Sequence, residues 1–588
     1  MRATESDRLE FPGANRSSLW LYSAAAAPPL RIGLLLDSPI LSNVFARVIE
    51  NIRASNFARL EMLVYRKPSR TTAHKPSSPG RIARRLLDSN LRSHLFYDAY
   101  LRLDQRMKLH NHPLDVVDCS ALLEGVDSIE VDPVGKKFVH RFPPEAIEQI
   151  RSKNLDVLLR FGFNILKGEI LTAARYGVWS YHHGDNDFYR GGPPHFWELY
   201  EGSSLSGVIL QVLTEQLDAG MVLCKSLFAT DSTISVSVNR YAPYWGASDL
   251  VIRKLNQLHR FGWDHLVQTS VPAAPYQGKK KIYRTPTNTE MVRWLAPLLL
   301  KKAIERPFRK KTVLHWRIGI RLNHAPLYDV ASGGGLEGFR WIESRKGHFW
   351  ADPFAIEYAG KKWAFFEDYE YATQRGRIEC AEISVEGNLI SPTACLESPN
   401  HHYSYPYVFQ DGPALYMIPE AFDSGSVDLY RCIEFPRKWT YQATLLRGKF
   451  VDTSVWQHGG LWWMMTTSAD PDARSSCLLL FYAEALHCDW HFHPDNPIST
   501  DARNNRGAGR IFLAGDRLIR PSQSSAPVYG YSFTLNEVTK LSTTEYAERP
   551  LAEFTPDVVE GLRAVHTYNW IPGVEVIDGA KATPLKKV

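Results

Sequence analysis

The pattern of apolar and polar positions changes character twice along the chain. Ile32–Leu36 is apolar at every position, the pattern of a strand buried on both faces. A turn at Asp37-Ser38-Pro39, an amphipathic helical stretch and a second strand, LEMLVYRK, follow. Strand–helix–strand order opens a doubly wound α/β unit. Further strands are predicted at Leu155–Arg160 and Val178–Tyr181, with a helix over about 167–175 between them. Two more are predicted at 207–213 (GVILQVL) and 221–228 (MVLCKSLF). Residues 66–90 are polar, basic and rich in breakers and read as a loop. Residues 1–29 read as a mobile tail.

From about residue 338 short aromatic strands alternate with turns: FWADPFAIEYAGKKWAFFED, SYPYVFQDGPALYMIPE, FVDTSVWQHGGLWWMMTTS, GRIFLAGDRLIRPSQ, RAVHTYNWIPGVEVIDG. Their spacing of roughly 45–55 residues suits blades of four short strands, and five blades fit the length. The expected fold class is therefore multidomain: a doubly wound α/β domain over 30–288, a basic helical linker over 289–325, and an all-β five-bladed propeller over 326–588. The linker contains a Leu-rich segment followed by Lys301, Lys302, Arg306, Arg309, Lys310 and Lys311. It reads as a helix with a solvated basic face, with contact between 294–311 and an anionic membrane surface as the alternative.

Composition narrows the picture. The 588 residues are 44% apolar and 22% charged, which excludes general disorder, and 12% aromatic, which fits the strand-rich half. A net charge of +6 over this length gives no footprint for nucleic acid. Seven cysteines without a CxxC pair argue against zinc ribbons and a disulfide framework, and a cytoplasmic location is expected. No metal site is expected.

The chemistry-bearing segment is Gly177–Leu223. His182 stands just beyond a buried strand, at the edge where α/β sites form, and Asp218 lies in a Leu-Asp-Ala-Gly turn. An imidazole oriented by a carboxylate moves protons at neutral pH, although a lone His–Asp pair is weak evidence.

The arrangement of Ser180-Tyr181-His182, Tyr189-Arg190-Gly191, Pro194, Trp197, Gly202, Ser206-Gly207-Val208 and Leu217-Asp218-Ala219-Gly220 resembles the catalytic core of the N10-formyltetrahydrofolate-dependent formyltransferase family. The likeness covers about residues 30–288. It implies N10-formyltetrahydrofolate as cofactor, with the loop of Phe161, Gly162 and Phe163, together with Gly220, at its pocket. It also implies His182 and Asp218 as the proton-handling pair. The family's catalytic asparagine is Ser180 here, so Ser180 and His183 are expected to stabilise the oxyanion. Asp185, Asp187 and Arg190 are candidates for holding an acceptor, or simple turn formers.

The C-terminal half resembles five-bladed glycoside-hydrolase-like propellers, including the module of plant glucosamine inositolphosphorylceramide transferases. The likeness rests on Ala351-Asp352-Pro353-Phe354, Phe366-Glu367-Asp368, Ser404-Tyr405-Pro406, Ile418-Pro419-Glu420, Val451-Asp452-Thr453-Ser454, Arg520-Pro521-Ser522-Gln523 and His566-Thr567-Tyr568-Asn569. Asp352, Glu420 and Asp452 are expected to converge on an axial funnel, for glycan binding, strand capping or hydrolysis. Together these readings imply formyl transfer to an amino group of a sugar, in surface polysaccharide or glycolipid synthesis. The alternatives are a glycan-processing enzyme and a non-catalytic sugar-binding protein, both using the propeller.

Overall fold

A computed structural model describes residues 19–67, 92–135, 138–216, 220–231, 234–305, 312–329, 335–470 and 475–584. The chain divides into two compact units, one over Asn15–Pro307 and the other over most of the remainder from Phe308.

The first unit is built on a seven-stranded sheet. Its elements in chain order are β1 (Leu30–Leu36), α1 (Asn43–Ala54), β2 (Ala58–Arg66), α2 (Leu95–Asp104), β3 (Ser128–Val131), α3 (Pro144–Ser152), β4 (Val157–Arg160), β5 (Val178–His182), β6 (Leu205–Val212), β7 (Met221–Ala229), α4 (Val236–Ala247), α5 (Leu250–Gln268) and α6 (Asn288–Glu305). The sheet order is β7-β6-β5-β4-β1-β2-β3. Pairings from β5 through β3 are parallel, and β6 and β7 are antiparallel additions at the other edge. β1 is buried on both faces because helices cover both sides of a parallel sheet. α1 turns Val44, Val48, Ile49 and Ile52 inward at helical spacing. The Ser235 side chain caps α4, accepting from the Val238 N–H at 3.1 Å.

Three sequence expectations change. Residues 19–29 are not a mobile tail: Trp20 is buried, and Asn256 of α5 donates to the carbonyls of Trp20 and Tyr22. Ser23 Oγ also pairs with His259 Nδ1 at 2.8 Å, so this stretch covers the apolar flank of α5. The helix expected over 167–175 is a short 3₁₀ turn, Glu169–Thr172, opened by Gly168 at φ 80°. The linker is absorbed from both sides. α6 packs Met291 and Trp294 into the α/β unit, and Thr312–Leu322 is a strand of the propeller. Most of the loop expected over 66–90 lies outside the described residues.

The second unit is a five-bladed β-propeller. Four blades run in sequence, beginning with the strands His348–Tyr358, Ser404–Asp411, Phe450–His458 and Arg506–Gly507. The fifth combines the two ends of the unit: Thr312–Leu322 pairs antiparallel with Val574–Pro584 over the whole length of both strands. This pairing of the two ends of the unit within one blade closes the ring of blades.

Candidate active site and the propeller funnel

The strand order of the α/β unit reverses between β1 and β4, and α/β folds bind ligands beyond the carboxyl ends of the strands at such a switch point. The chain turns tightly there. The N–H groups of Phe161 and Gly162 both donate to the Leu35 carbonyl, at 3.0 and 2.8 Å. A Cβ at Gly162 would lie 2.4 Å from the Asp37 nitrogen, so only glycine fits. Phe161 stacks on Phe45 with ring centroids 4.4 Å apart. Phe163, at φ 62°, donates its N–H to Asp37 Oδ1 but buries its ring in the core beside Phe142. Phe163 therefore offers this switch point backbone rather than side chain.

Register sets the next layer. Arg160 of β4 pairs with Ser180 of β5, and Ser180 pairs with Gln211 of β6. Arg160 Nε donates to Ser180 Oγ at 2.9 Å, its Nη1 reaches the Asn164 carbonyl at 3.0 Å, and the Ser180 hydroxyl donates to the Tyr181 carbonyl at 3.1 Å. Ser180 thus spends its proton on backbone, which corrects its expected role as oxyanion donor. The cation beside it is the residue the sequence reading missed. Arg160 was visible in the sequence, but only strand register shows that it stands at the asparagine position's side. Gln211 Oε1 is buried with no partner among the described residues.

His182 shares the face of Ser180, two residues on. Its Nε2 lies 2.8 Å from the Tyr189 carbonyl. A carbonyl only accepts, so Nε2 carries the hydrogen of this bond. His183 leaves this site: it stacks on Tyr244 at 3.7 Å and on Tyr181, with His195 edge-on. Burial, then the neighbouring His195 and His182, holds its pKa well below the usual imidazole range. It is a packed aromatic rather than the expected oxyanion donor.

Asp185 and Asp187 are both engaged by Lys225 of β7, at 2.7 and 2.5 Å. Burial pulls the Lys225 ammonium down, but the two carboxylates outweigh it and raise its pKa. The pair is an ion triad that fixes the loop after β5, not a set of open acceptor ligands. Arg190 donates to the Asn186 carbonyl and lies over the Tyr276 ring at 4.5 Å. Gly220 is required by packing, since a Cβ there would lie 2.0 Å from the Val212 carbonyl oxygen. Asp218 lies outside the described residues.

In the propeller the same device recurs in three successive blades. The innermost strands are bulged at Asp352, Tyr405 and Asp452, non-glycine residues at φ 50°, 41° and 54°. Left-handed backbone at a bulge re-aims a side chain and carries local strain. Each bulge N–H donates to a carboxylate: Asp352 to Asp578 at 3.0 Å, Tyr405 to Asp352 at 3.3 Å, and Asp452 to Glu420 at 3.1 Å. The acids therefore tie bulged strands in place as well as line a cavity of about 770 Å³.

Asp352, Glu420 and Asp452 all border that cavity, together with Glu367, Tyr529 and His566. Burial pushes Asp352 up to about 6, against the pull of His566. Burial and the charge of Asp452 push Glu420 up to about 8. Glu367 is held well above the usual carboxylate range by burial, then by Asp352 and Glu420. Asp452 is paired with Arg506, whose Nε and Nη2 reach its two oxygens at 2.6 and 3.0 Å. Glu367 was not among the expected site residues. Its signal is cross-strand pairing with Ala351, next to Asp352. Asp352, His566 and Asp578 bring potential ligand atoms within 4.8 Å of one another, but Asp578 is already satisfied by His566 and by the N–H groups of Asp352, His566 and Thr567.

Fold and site together define a formyltransferase-like α/β unit followed by a five-bladed propeller with an acidic funnel. Residues 342–567 match the family model "Glucosamine inositolphosphorylceramide transferase 1, N-terminal". The chain is 30% identical over 208 residues to Glucosamine inositolphosphorylceramide transferase 1 of Oryza sativa subsp. japonica, a match covering 35% of this chain and 28% of that protein. It is 31% identical over 116 residues to Methionyl-tRNA formyltransferase of Borrelia duttonii (strain Ly), covering 19% of this chain and 37% of the relative. The chain thus spans well under half the length of these curated relatives. Among solved structures, glycinamide ribonucleotide transformylase 1 from Symbiobacterium toebii aligns with a TM-score of 0.26 at 13% identity, covering 39% of this chain and 88% of that one. A family 117 glycoside hydrolase of Zobellia galactanivorans aligns with a TM-score of 0.31 at 9% identity, covering 47% and 93%.

Proposed function

We propose that the α/β unit transfers a formyl group from N10-formyltetrahydrofolate to an amino group of a sugar, and that the propeller funnel holds the acceptor glycan. The reaction is assigned to the cytoplasm, in surface polysaccharide or glycolipid synthesis, as the sequence led us to expect. The observation that carries this reading is the row Arg160–Ser180–Gln211 with His182 on the same face, at the carboxyl edge of the sheet. The residues present fit the cofactor. The switch point presents the backbone of Phe161 to Phe163, and the buried Gln211 Oε1 is an acceptor with no partner among the described residues.

When bound, N10-formyltetrahydrofolate would be held at the Phe161–Phe163 backbone and would supply an activated formyl carbon with tetrahydrofolate as the leaving group. The protein's part is proton handling and charge stabilisation. His182, oriented by the Tyr189 carbonyl, accepts the amine proton and passes it to the departing nitrogen, and Asp218 balances the imidazolium between the two transfers. Arg160 supplies a permanent cation in the place of the family's asparagine amide, which keeps an oxyanion stabiliser although Ser180 is committed to backbone.

Incubation with N10-formyltetrahydrofolate and a panel of nucleotide-linked amino sugars, following tetrahydrofolate release, tests the reading. No release with any acceptor, together with no folate binding, overturns it. A second reading, glycan processing in the propeller, is favoured by one observation: Glu420 and Glu367, both raised above the usual carboxylate range, stand beside the Asp452–Arg506 ion pair, and glycoside cleavage uses such a set of an acid and a carboxylate. Activity lost in Asp352→Asn but kept in His182→Ala moves the chemistry there.

A further inference from the structure

Two neighbouring helices of the α/β unit carry large apolar side chains on exposed faces. α2 and α6 begin together: Asn288 Oδ1 accepts from the Phe96 N–H, and Asn288 donates to the carbonyls of Arg92 and Ser93. They pack through Tyr97, Tyr100, Met291 and Trp294, with Tyr100 and Trp294 edge-to-face at 5.5 Å. Away from that seam, Phe96 and Leu103 of α2 are 51% and 60% exposed, and Met107 just beyond is 46% exposed. On α6, Val292, Leu299, Leu300 and Ile304 are between 50% and 63% exposed. Single exposed apolar residues are ordinary, but six on one helix pair with a seventh beside them are not.

Their placement is regular. At 100° per residue Val292, Ala296, Leu299 and Ala303 fall within an arc of about 60°, bordered by Leu300 and Ile304. Met291 and Trp294 point away from it, into the core. Among the described side chains, the exposed charges on and beside these helices are mainly cationic: Arg102 and, just beyond α2, Arg106, with Arg293 and Lys302 on α6, against Asp98. No helix among the described residues is long and apolar enough to cross a membrane. An apolar stripe rimmed by lysine and arginine on a helix too polar to span is the pattern that lies in the plane of an anionic interface.

We propose that the α2–α6 pair docks on the surface of an anionic lipid bilayer. The apolar stripes enter the boundary between headgroups and acyl chains, and the basic rim meets the lipid phosphates. The formyl-transfer reading is not needed for this, and neither failure implies the other.

The test is sedimentation of the full chain with phosphatidylcholine vesicles, with and without phosphatidylglycerol, at low and high salt. Binding is expected with phosphatidylglycerol only, weakened by salt. At about 1 kcal/mol per surface cation, Arg293→Gln with Lys302→Gln weakens binding about fivefold for each residue. Leu299→Gln with Leu300→Gln and Ile304→Gln should abolish binding at high salt while leaving the thermal midpoint unchanged, since these side chains are exposed. Binding to neither vesicle, equal binding to both, or unchanged binding by the glutamine triple variant overturns the proposal. So does a concentration-dependent dimer that the triple variant dissolves without any vesicle binding.

Discussion

Arg160 donates from Nε to the Ser180 hydroxyl at 2.9 Å, across two parallel strands whose register sets the residues side by side. Ser180 stands where the formyltransferase family has its asparagine, and it donates its own hydrogen to backbone. Its neighbour is a guanidinium, which stays charged at every accessible pH. The pair exchanges a neutral donor for a fixed positive charge.

Arg160→Met removes that charge with little change in volume. Turnover is expected to fall about 10²–10³-fold, the cost of losing one oxyanion donor, with the KM for the formyl donor little changed. Adding Ser180→Asn to Arg160→Met should recover at least part of the loss. Full turnover in Arg160→Met, measured as tetrahydrofolate release, rules the role out.

Gly184 sets the orientation of His182. A Cβ there would lie 3.0 Å from His182 Nε2 and 2.9 Å from the Tyr189 carbonyl oxygen. Gly184→Ala should push the ring off its carbonyl and reduce kcat at least about tenfold, at a stability cost of about 1–3 kcal/mol. Comparing turnover with the urea midpoint checks that activity falls further than folding does.

Arg506 and Asp452 form a bidentate pair in which both side chains are largely buried. Arg506→Met leaves a buried carboxylate without its cation and should cost about 3–5 kcal/mol. Asp452→Asn in the same chain should restore part of that. A double-mutant cycle by urea unfolding reads the coupling directly.

Glu420 gives the propeller a pH signature. Its folded-state pKa, raised to about 8 from an ordinary 4.5, means that the folded protein keeps a proton the unfolded chain releases. Its contribution is fully present below about pH 4.5, falls as pH rises, and is spent above about pH 8. Glu420→Gln should flatten that decline, measured as urea midpoints across this range. An unchanged slope would show that another buried acid dominates.

Much of this was legible in order and spacing. The apolar run Ile32–Leu36, the strand Val178–Tyr181 just before His182 and the spacing of aromatic strands after residue 338 state the two architectures directly, because burial on both faces, alternation and turn chemistry are local properties. The residues of the switch-point loop and the funnel acids Asp352, Glu420 and Asp452 were named from motifs in the same way. What tertiary structure decided is pairing. The partner of Ser180 is Arg160, twenty residues earlier, and the cation between Asp185 and Asp187 is Lys225, from a strand at the sheet edge. His183 turned to Tyr244, and Trp20 folded down onto α5, because each found apolar or aromatic cover supplied by a distant helix. Such contacts depend on strand register and helix packing, which join positions far apart in the chain. A sequence read locally specifies which side chains can do chemistry, and long-range register specifies which of them meet.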